Sequence, residues 1–355
     1  MRLAHSWPAL LAAFIFVNVI PAAAQLSSPQ PDPLARIREA ASNTPACSAT
    51  GESLCEQVAP KIIANARGES PLAENLHRLT DEIDRGANGS SASARVVAWA
   101  VAAFRHAGLD VHTEKFTERA GDPDDQENVV AEIRGREKPD EWVLLGAHLD
   151  SWAHGPGVRD NSCDAAAVIE AARDILLTGI RPRRSIRFVL FTGRGKGVGG
   201  AGLYIRAHRA EIDRSRAAII SDSSCSRVTG YSLNGRYDIE AGLREAMKPI
   251  ESLGAGHYVF VAIDSSGFLF EGVPTVTATQ VQYVDPPSSS AFSGTPNTID
   301  IADLKRNAAI FAVTAFGIAE RAEPLGPLLS RAEVESLLKT SGLPIQEPGE
   351  RTPKP

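Results

Sequence analysis

Aromatic side chains are scarce in this chain, at 6% of its residues, which argues against a surface built to stack nucleic-acid bases. Positive charge is not in excess either. Lys and Arg number 37 against 43 Asp and Glu, a net charge of −6, so the electrostatic footprint of a nucleic-acid binder is missing. Past the N-terminal segment no apolar run reaches the length of a membrane helix, which excludes a multi-span membrane protein. No internal repeat or collagen-like period is present. What remains is ordinary globular composition, 43% hydrophobic and 23% charged, enough to exclude wholesale disorder. A length of 355 residues fits one large domain or two modest ones.

The first 24 residues read as an export signal. Arg2 supplies positive charge, residues 9–20 form a short apolar run, and Ala22-Ala23-Ala24 offers a small-x-small cleavage site before Gln25. The expected mature protein is periplasmic or secreted and has no membrane span after cleavage. Cys47 and Cys55 lie close together, and an oxidising compartment favours their pairing. Cys163 and Cys225 read equally as a second bridge or as two free thiols.

Residues 25–59 are Pro-, Ser- and Ala-rich and read as an N-terminal arm, with a domain expected over 60–345 and a loose tail over 346–355. Helical spacing of Val97, Ala100, Val101 and Phe104 ends at Gly108. Strands are expected over 111–116, 128–133 and 142–148. The acidic turn 122–125 lies between the first two and reads as solvated loop. Ala165, Val168, Ile169, Ala172, Ile175 and Leu176 form one apolar stripe closed by Gly179. An almost wholly apolar run at 186–191 reads as a buried strand. A Gly-rich loop at 193–200, a helix over 203–210 and a strand over 217–221 follow. A mixed segment (230–253), strands over 258–263 and 275–279, and a helix over 298–321 complete the pattern. Strands alternating with crossover helices predict an α/β fold with a mainly parallel central sheet flanked by helices. Chemistry then belongs at the carboxyl ends of the strands.

Three residues fall there. His148, in His148-Leu149-Asp150, ends a strand, and Asp150 is spaced to orient or charge a ligand. Asp160-Asn161 precedes the striped helix, and Asp222 comes directly after the next strand. His, Asp and Asp together make an N/O/O donor set suited to a borderline divalent ion such as zinc. Each also has a plainer reading: His148 as a buried structural histidine, Asp160 as a helix N-cap, Asp222 as a solvated loop acid.

The run Val143-Leu144-Leu145-Gly146-Ala147-His148-Leu149-Asp150-Ser151-Trp152 resembles the first metal motif of the di-zinc exopeptidases. These are the bacterial aminopeptidases and, more closely, the carboxypeptidase Q type. Asp160-Asn161, Glu170-Ala171-Ala172-Arg173, the strand from Arg184 to Gly193, Ser221-Asp222-Ser223 and Gly272-Val273-Pro274 extend the resemblance over about 75–343. It implies a zinc-exopeptidase-like fold, peptide-bond hydrolysis, and small peptides as partners. It also implies one metal held by His148, Asp160 and Asp222 and a second sharing Asp160.

The chain departs from that pattern where it matters most. The resemblance implies two glutamates after Phe191-Thr192-Gly193, first the general base and then a zinc ligand. Here those positions are Arg194 and Gly195. A guanidinium accepts no proton near neutral pH and glycine has no donor atom. A last histidine ligand is implied near Ser293, where the chain reads Phe292-Ser293-Gly294-Thr295. The expectation is a pseudoenzyme holding at most one zinc, with lost or strongly reduced peptidase activity. Arg194 would pair with Asp160 or a substrate carboxylate. Alternatives are an active exopeptidase with a reorganised one-metal site, with His154 or Glu271 as substitute base, and a non-catalytic peptide-binding protein. A dinucleotide site is a further alternative, since 195–200 satisfies G-x-G-x-x-G with Asp222 about 20 residues on.

Overall fold

Two apolar runs, 142–149 and 186–191, make the middle of the molecule, because strands buried on both faces must be apolar on both. The computed structural model describes residues 54–83, 90–116, 126–149, 160–192, 199–221, 225–256, 267–280 and 299–341, all within one unit, Pro33–Pro355. The chain begins with α1 (Leu54–Arg67), α2 (Leu72–His77, continued by a π-helical turn) and α3 (Ser90–His106). Strands β1 (Val111–Phe116), β2 (Gln126–Ile133) and β3 (Lys138–His148) come next. They lead to α4 (Asp160–Leu176), β4 (Arg184–Phe191), α5 (Gly199–Ala207), β5 (Ser215–Ser221) and β6 (Val228–Ser232). Last are α6 (Glu240–Met247), β7 (Thr275–Gln280), α7 (Ile301–Glu320) and α8 (Arg331–Thr340). Helix α1 runs across the boundary expected between 59 and 60, with Pro60 inside it.

The seven strands form one sheet in the order β1-β2-β4-β3-β5-β7-β6. Its centre, β4-β3-β5-β7, is parallel, and the pairs β1–β2, β2–β4 and β6–β7 are antiparallel. The expected α/β class with a mainly parallel centre therefore holds. Both edges come from segments that a crossover rule does not describe.

Alternation along β3 divides the core. Val143, Leu145 and Ala147 face the larger cluster, which contains Val58 of α1, Phe104 of α3, Val168 of α4 and Phe311 of α7. Trp142 and Leu144 face the other cluster, with Tyr204 and Ile205 of α5 and Phe268. Each side chain buried this way contributes about 1.5–3 kcal/mol of transfer free energy. Charge is built into the frame as well. The fully buried Arg184 at the start of β4 donates Nε to Glu141 at 2.6 Å, and its other nitrogens donate to the carbonyls of Arg321 and Ala322 past the end of α7.

Candidate metal centre at the ends of the parallel strands

Gly146 in β3 explains its own identity. A Cβ there would lie 2.7 Å from the Phe191 ring and 2.9 Å from a Leu144 methyl. Glycine thus lets the Phe191 ring close over β3 just before His148. The His148 ring lies 6.2 Å from Phe191, which also meets Tyr204 at 6.0 Å and Phe268 at 6.5 Å. His148 is 7% exposed and paired in register with Phe191, and the next residue, Leu149, donates its N–H to the Phe191 carbonyl at 2.7 Å. The histidine is thus held against an aromatic floor at the carboxyl end of the sheet.

The neighbouring strand stops at the same level. Ala147 pairs with Ser221, the last residue of β5, so His148 and Asp222 each come directly after one member of a paired couple. Helix α4 begins at Asp160. Its N-terminal part is tied to the end of β5, where Ser221 Oγ donates to Asp164 Oδ1 at 2.5 Å, and to the segment before β6, where Cys225 is disulfide-bonded to Cys163 with the Cα atoms 5.1 Å apart. The structure thereby chooses between the two readings of these cysteines. The ends of β3 and β5 and the start of α4 are in this way brought to one end of the sheet by pairing and by cross-ties.

The loop expected to replace the two glutamates has a defined neck. Gly200 donates its N–H to the Thr192 carbonyl at 2.7 Å. The buried Asn128 side chain bridges both sides, accepting from Thr192 N at 3.1 Å and donating to Gly200 O at 2.9 Å. A Cβ on residue 200 would lie 2.3 Å from both Thr192 O and Asn128 Oδ1. This neck accounts for the last glycine of the G-x-G-x-x-G run without a nucleotide.

Several expected site residues lie outside the described residues: Asp150, His154, Arg194, Gly195, Asp222, Ser293 and the side chain of Asp160. The expected strand over 258–263 does too. Among the described residues no group of three or more His, Cys, Asp or Glu is arranged to hold a metal. Glu271, a candidate substitute base, is ion-paired with Arg209. Sequence reasoning gave no role to Asp164 or Asn128 and took Ser221 only as part of the Ser221-Asp222-Ser223 run. Asn128, polar beside the apolar stretch of its strand, carried a signal of its own.

A second polar cluster sits away from these strand ends, where β1 meets α5 and the turn after it. His208 binds Glu114 through Nε2, at 3.0 and 3.1 Å, and Glu211 through Nδ1. Arg187 donates to both oxygens of Glu211 at 3.2 Å and lies 4.8 Å from the centre of the Trp142 ring. Burial alone would lower the His208 pKa, but the two carboxylates outweigh it and raise it. Glu211 moves the other way: burial opposes ionisation, yet Arg187 and His208 hold it down at about 2. Each of these groups has a protein partner, and the cluster reads as a structural ion network.

The family model for peptidase family M28 matches residues 128–312, just over half of the chain. The chain belongs to peptidase family M28. Carboxypeptidase Q of Rattus norvegicus is 31% identical over 203 residues, covering 57% of this chain and 43% of that protein. This M28 chain therefore spans less than half the length of the curated relative it matches. The crystal structure of a peptidase M28 precursor from Shewanella amazonensis SB2B superposes with a TM-score of 0.67 at 19% identity, covering 78% of this chain and 99% of that one. A zinc aminopeptidase from Bacillus subtilis gives a TM-score of 0.57 at 12% identity, covering 77% and 98%. These structural likenesses establish the fold, and the family is one of zinc peptidases.

Proposed function

We propose that this M28 chain is an exported homologue of the zinc exopeptidases that binds peptides but has lost, or nearly lost, their hydrolysis. The observation that carries the reading is the pair of residues just beyond Thr192 and Gly193, past the neck that Asn128 bridges. Arg194 and Gly195 stand where the family resemblance implies the general base and a zinc ligand. A general base typically contributes ~10²–10⁴-fold in rate. Its replacement by a guanidinium, together with loss of a metal ligand, removes most of the expected activity.

One zinc fits the residues that remain, and two do not. The donor set His148, Asp160 and Asp222 supplies one nitrogen and two carboxylates, a combination that zinc accepts. The in-register ends of β3 and β5 and the cross-ties to α4 support their convergence. A second ion would keep Asp160 alone, and one carboxylate does not make a zinc site. When bound, zinc supplies Lewis acidity, polarising a carbonyl and lowering the pKa of water. The chain's own contribution is to orient a peptide. The buried rings of Phe191, Tyr204 and Phe268 back the His148 ring from within the core, and Arg194 offers a cation for a peptide carboxylate.

Export is supported by the signal-like first 24 residues and by the Cys163–Cys225 disulfide, which an oxidising compartment maintains. No helix among the described residues is long and apolar enough to cross a membrane. The test of function is turnover of dipeptide and aminoacyl reporters by purified protein, beside calorimetric titration with the same peptides. Binding without turnover is expected. The variant Arg194→Glu/Gly195→Glu should gain zinc and change peptide affinity. Fast turnover by the wild type would overturn the reading in favour of a reorganised one-metal enzyme.

A further inference from the structure

Arg306, on the second turn of α7, is a half-buried cation whose hydrogen bonds go to neutral groups. Its Nε donates to the Leu253 carbonyl at 2.6 Å and its Nη1 to the Val228 carbonyl at 2.7 Å. The third nitrogen, Nη2, is buried and has no hydrogen-bond partner. Asp303, one turn earlier on the helix, is ion-paired with Arg227 instead, at 3.7 Å from its Nε. Charges withdrawn from water are ordinarily paired, and the neighbour of Arg306 has the same sign. A Cβ built on Gly254 would lie 3.7 Å from Arg306 Nη2 and 4.0 Å from Arg227 Nη2, so two guanidinium groups border one spot. Burial, and then the Arg227 charge, hold the Arg306 pKa below its ordinary value. We propose that Arg227 and Arg306 form a binding site, beside Gly254, for a small tetrahedral oxyanion of the phosphate or sulfate type.

The fold holds the two cations together. Arg227 directly precedes β6, and Val228 pairs with Gln280, the last residue of β7. The pair therefore sits at the carboxyl end of a parallel strand, on the edge of the sheet that His148 reaches at the end of β3. Asn307, next to Arg306, locks this corner: its Oδ1 accepts from Val228 N at 2.9 Å and its Nδ2 donates to the Ser226 carbonyl at 2.8 Å. Moving the main chains apart to relieve the repulsion would break these bonds, whereas an anion between the arginines turns one repulsion into two attractions. Gly254, with φ of 70° at the end of the 3₁₀ turn Lys248–Leu253, puts no side chain into the spot. The Arg227 side chain is 52% exposed, so a small movement of it admits an ion from solvent. Geometry also selects the ligand. A carboxylate is best held by a whole guanidinium edge with two parallel N–H groups, and at Arg306 each edge that includes Nη2 has its other nitrogen engaged by backbone. One nitrogen from each arginine remains, and oxygens that diverge in several directions meet two such single donors better than a planar group does. None of this depends on the assignment of metal ligands.

The experiment titrates the full chain with inorganic sulfate and phosphate at constant ionic strength, read by calorimetry and by thermal shift. Because sulfate stabilises proteins generally by exclusion from their surfaces, the effect must saturate at low millimolar concentration. Saturable binding is expected in the wild type and equally in His148→Ala, which separates it from any anion carried by a metal. Arg227→Gln should weaken binding about 10-fold or more, the size of one lost hydrogen bond to a charged group. Without anion the same variant should melt no lower than the wild type, since it removes a repulsion. Asp303→Asn takes away the carboxylate beside Arg227 and should tighten binding, a change that a merely structural arginine would not produce. Arg306→Gln should abolish binding; if it does not fold, Arg227→Gln and Asp303→Asn decide the matter. Phenyl phosphate bound as tightly as the free ion would mark a phosphate ester as the natural source, and its rejection would mark the free ion. Acetate bound more tightly than sulfate would overturn the tetrahedral assignment. No saturable binding by the wild type, or undiminished binding by Arg227→Gln, would overturn the site itself.

Discussion

Replacing Asp174 by Asn should stabilise the protein at neutral pH and do nothing at pH 4. Asp174 lies on α4 with its side chain fully buried, and among the described residues neither carboxylate oxygen has a hydrogen-bond donor. Arg173 Nη1 lies 3.6 Å from Oδ1 but is also engaged by the buried Glu170 at 2.9 Å. Burial, reinforced by the negative charge of Glu170, pushes the Asp174 carboxyl up to about 8, against the pull of Arg173 and of Lys305 on α7. Unfolded, the group titrates near 3.9. Between those values the folded state holds the proton and the unfolded state releases it. Stability therefore falls as pH rises through this window and levels off above about 8. Three pH units below neutrality, at ~1.36 kcal/mol each, set a ceiling of about 4 kcal/mol at pH 7. Relaxation toward Arg173 and water entry recover part of this, so we expect about 1–3 kcal/mol. Urea melts of wild type and Asp174→Asn from pH 4 to 8.5 read it directly. The two should converge at the acid end and diverge progressively above pH 5. A constant offset at every pH would refute the reasoning, because it would place the Asp174 proton equilibrium in the same range folded and unfolded.

Three further outcomes are expected in other parts of the frame. Gly200→Ala should cost about 1–3 kcal/mol in urea melts, as overpacking does, because its Cβ would collide with Thr192 O and Asn128 Oδ1 at 2.3 Å; a neutral result would mean the neck is not closed. His208, raised by Glu114 and Glu211 against burial, contributes stability that is full below about 6.5 and is lost as pH rises through its folded value. His208→Gln should erase that part of the pH profile and leave the rest. Arg236 and Asp238 form a fully buried pair with bonds of 2.8 Å, so Asp238→Ala, which strands the guanidinium, should cost about 3–5 kcal/mol. A loss below about 1 kcal/mol, the scale of an ordinary neutral hydrogen bond, would show that Pro327 O and Gly272 O alone satisfy the arginine.

The sequence pattern was most informative where burial was two-sided or strongly periodic. The apolar runs of β3 and β4 and the stripe of α4 could be read directly, because nothing but a covered strand or a core-facing helix places those residues there. The edges were less legible. β6 has five residues with Gly230 in the middle, and its strand state comes from pairing with β7 rather than from propensity. Helix α5 was expected over 203–210 but begins at Gly199 and ends at Ala207. Its Gly199-Gly200 start has poor intrinsic propensity and is held instead by the Asn128 neck. Helix α8 was not expected although it carries a capping box, Ser330 with Glu333, because its apolar residues form only a small satellite cluster with Leu269 and Leu329. At the carboxyl edge, the strand ends were read close to where they fall, His148 closing β3 and Ser221 closing β5. The Ser221–Asp164 bond could not be foreseen, since no spacing rule links residues 57 apart.

The central proposal is that a single ion can be held where the family resemblance implies two, because Arg194 and Gly195 would supply neither base nor ligand. Elemental zinc analysis of purified wild type and His148→Ala tests it most directly. The account predicts at most one zinc per chain in the wild type and none in the variant. Two zinc ions per wild-type chain, or tight zinc persisting in His148→Ala, would contradict it.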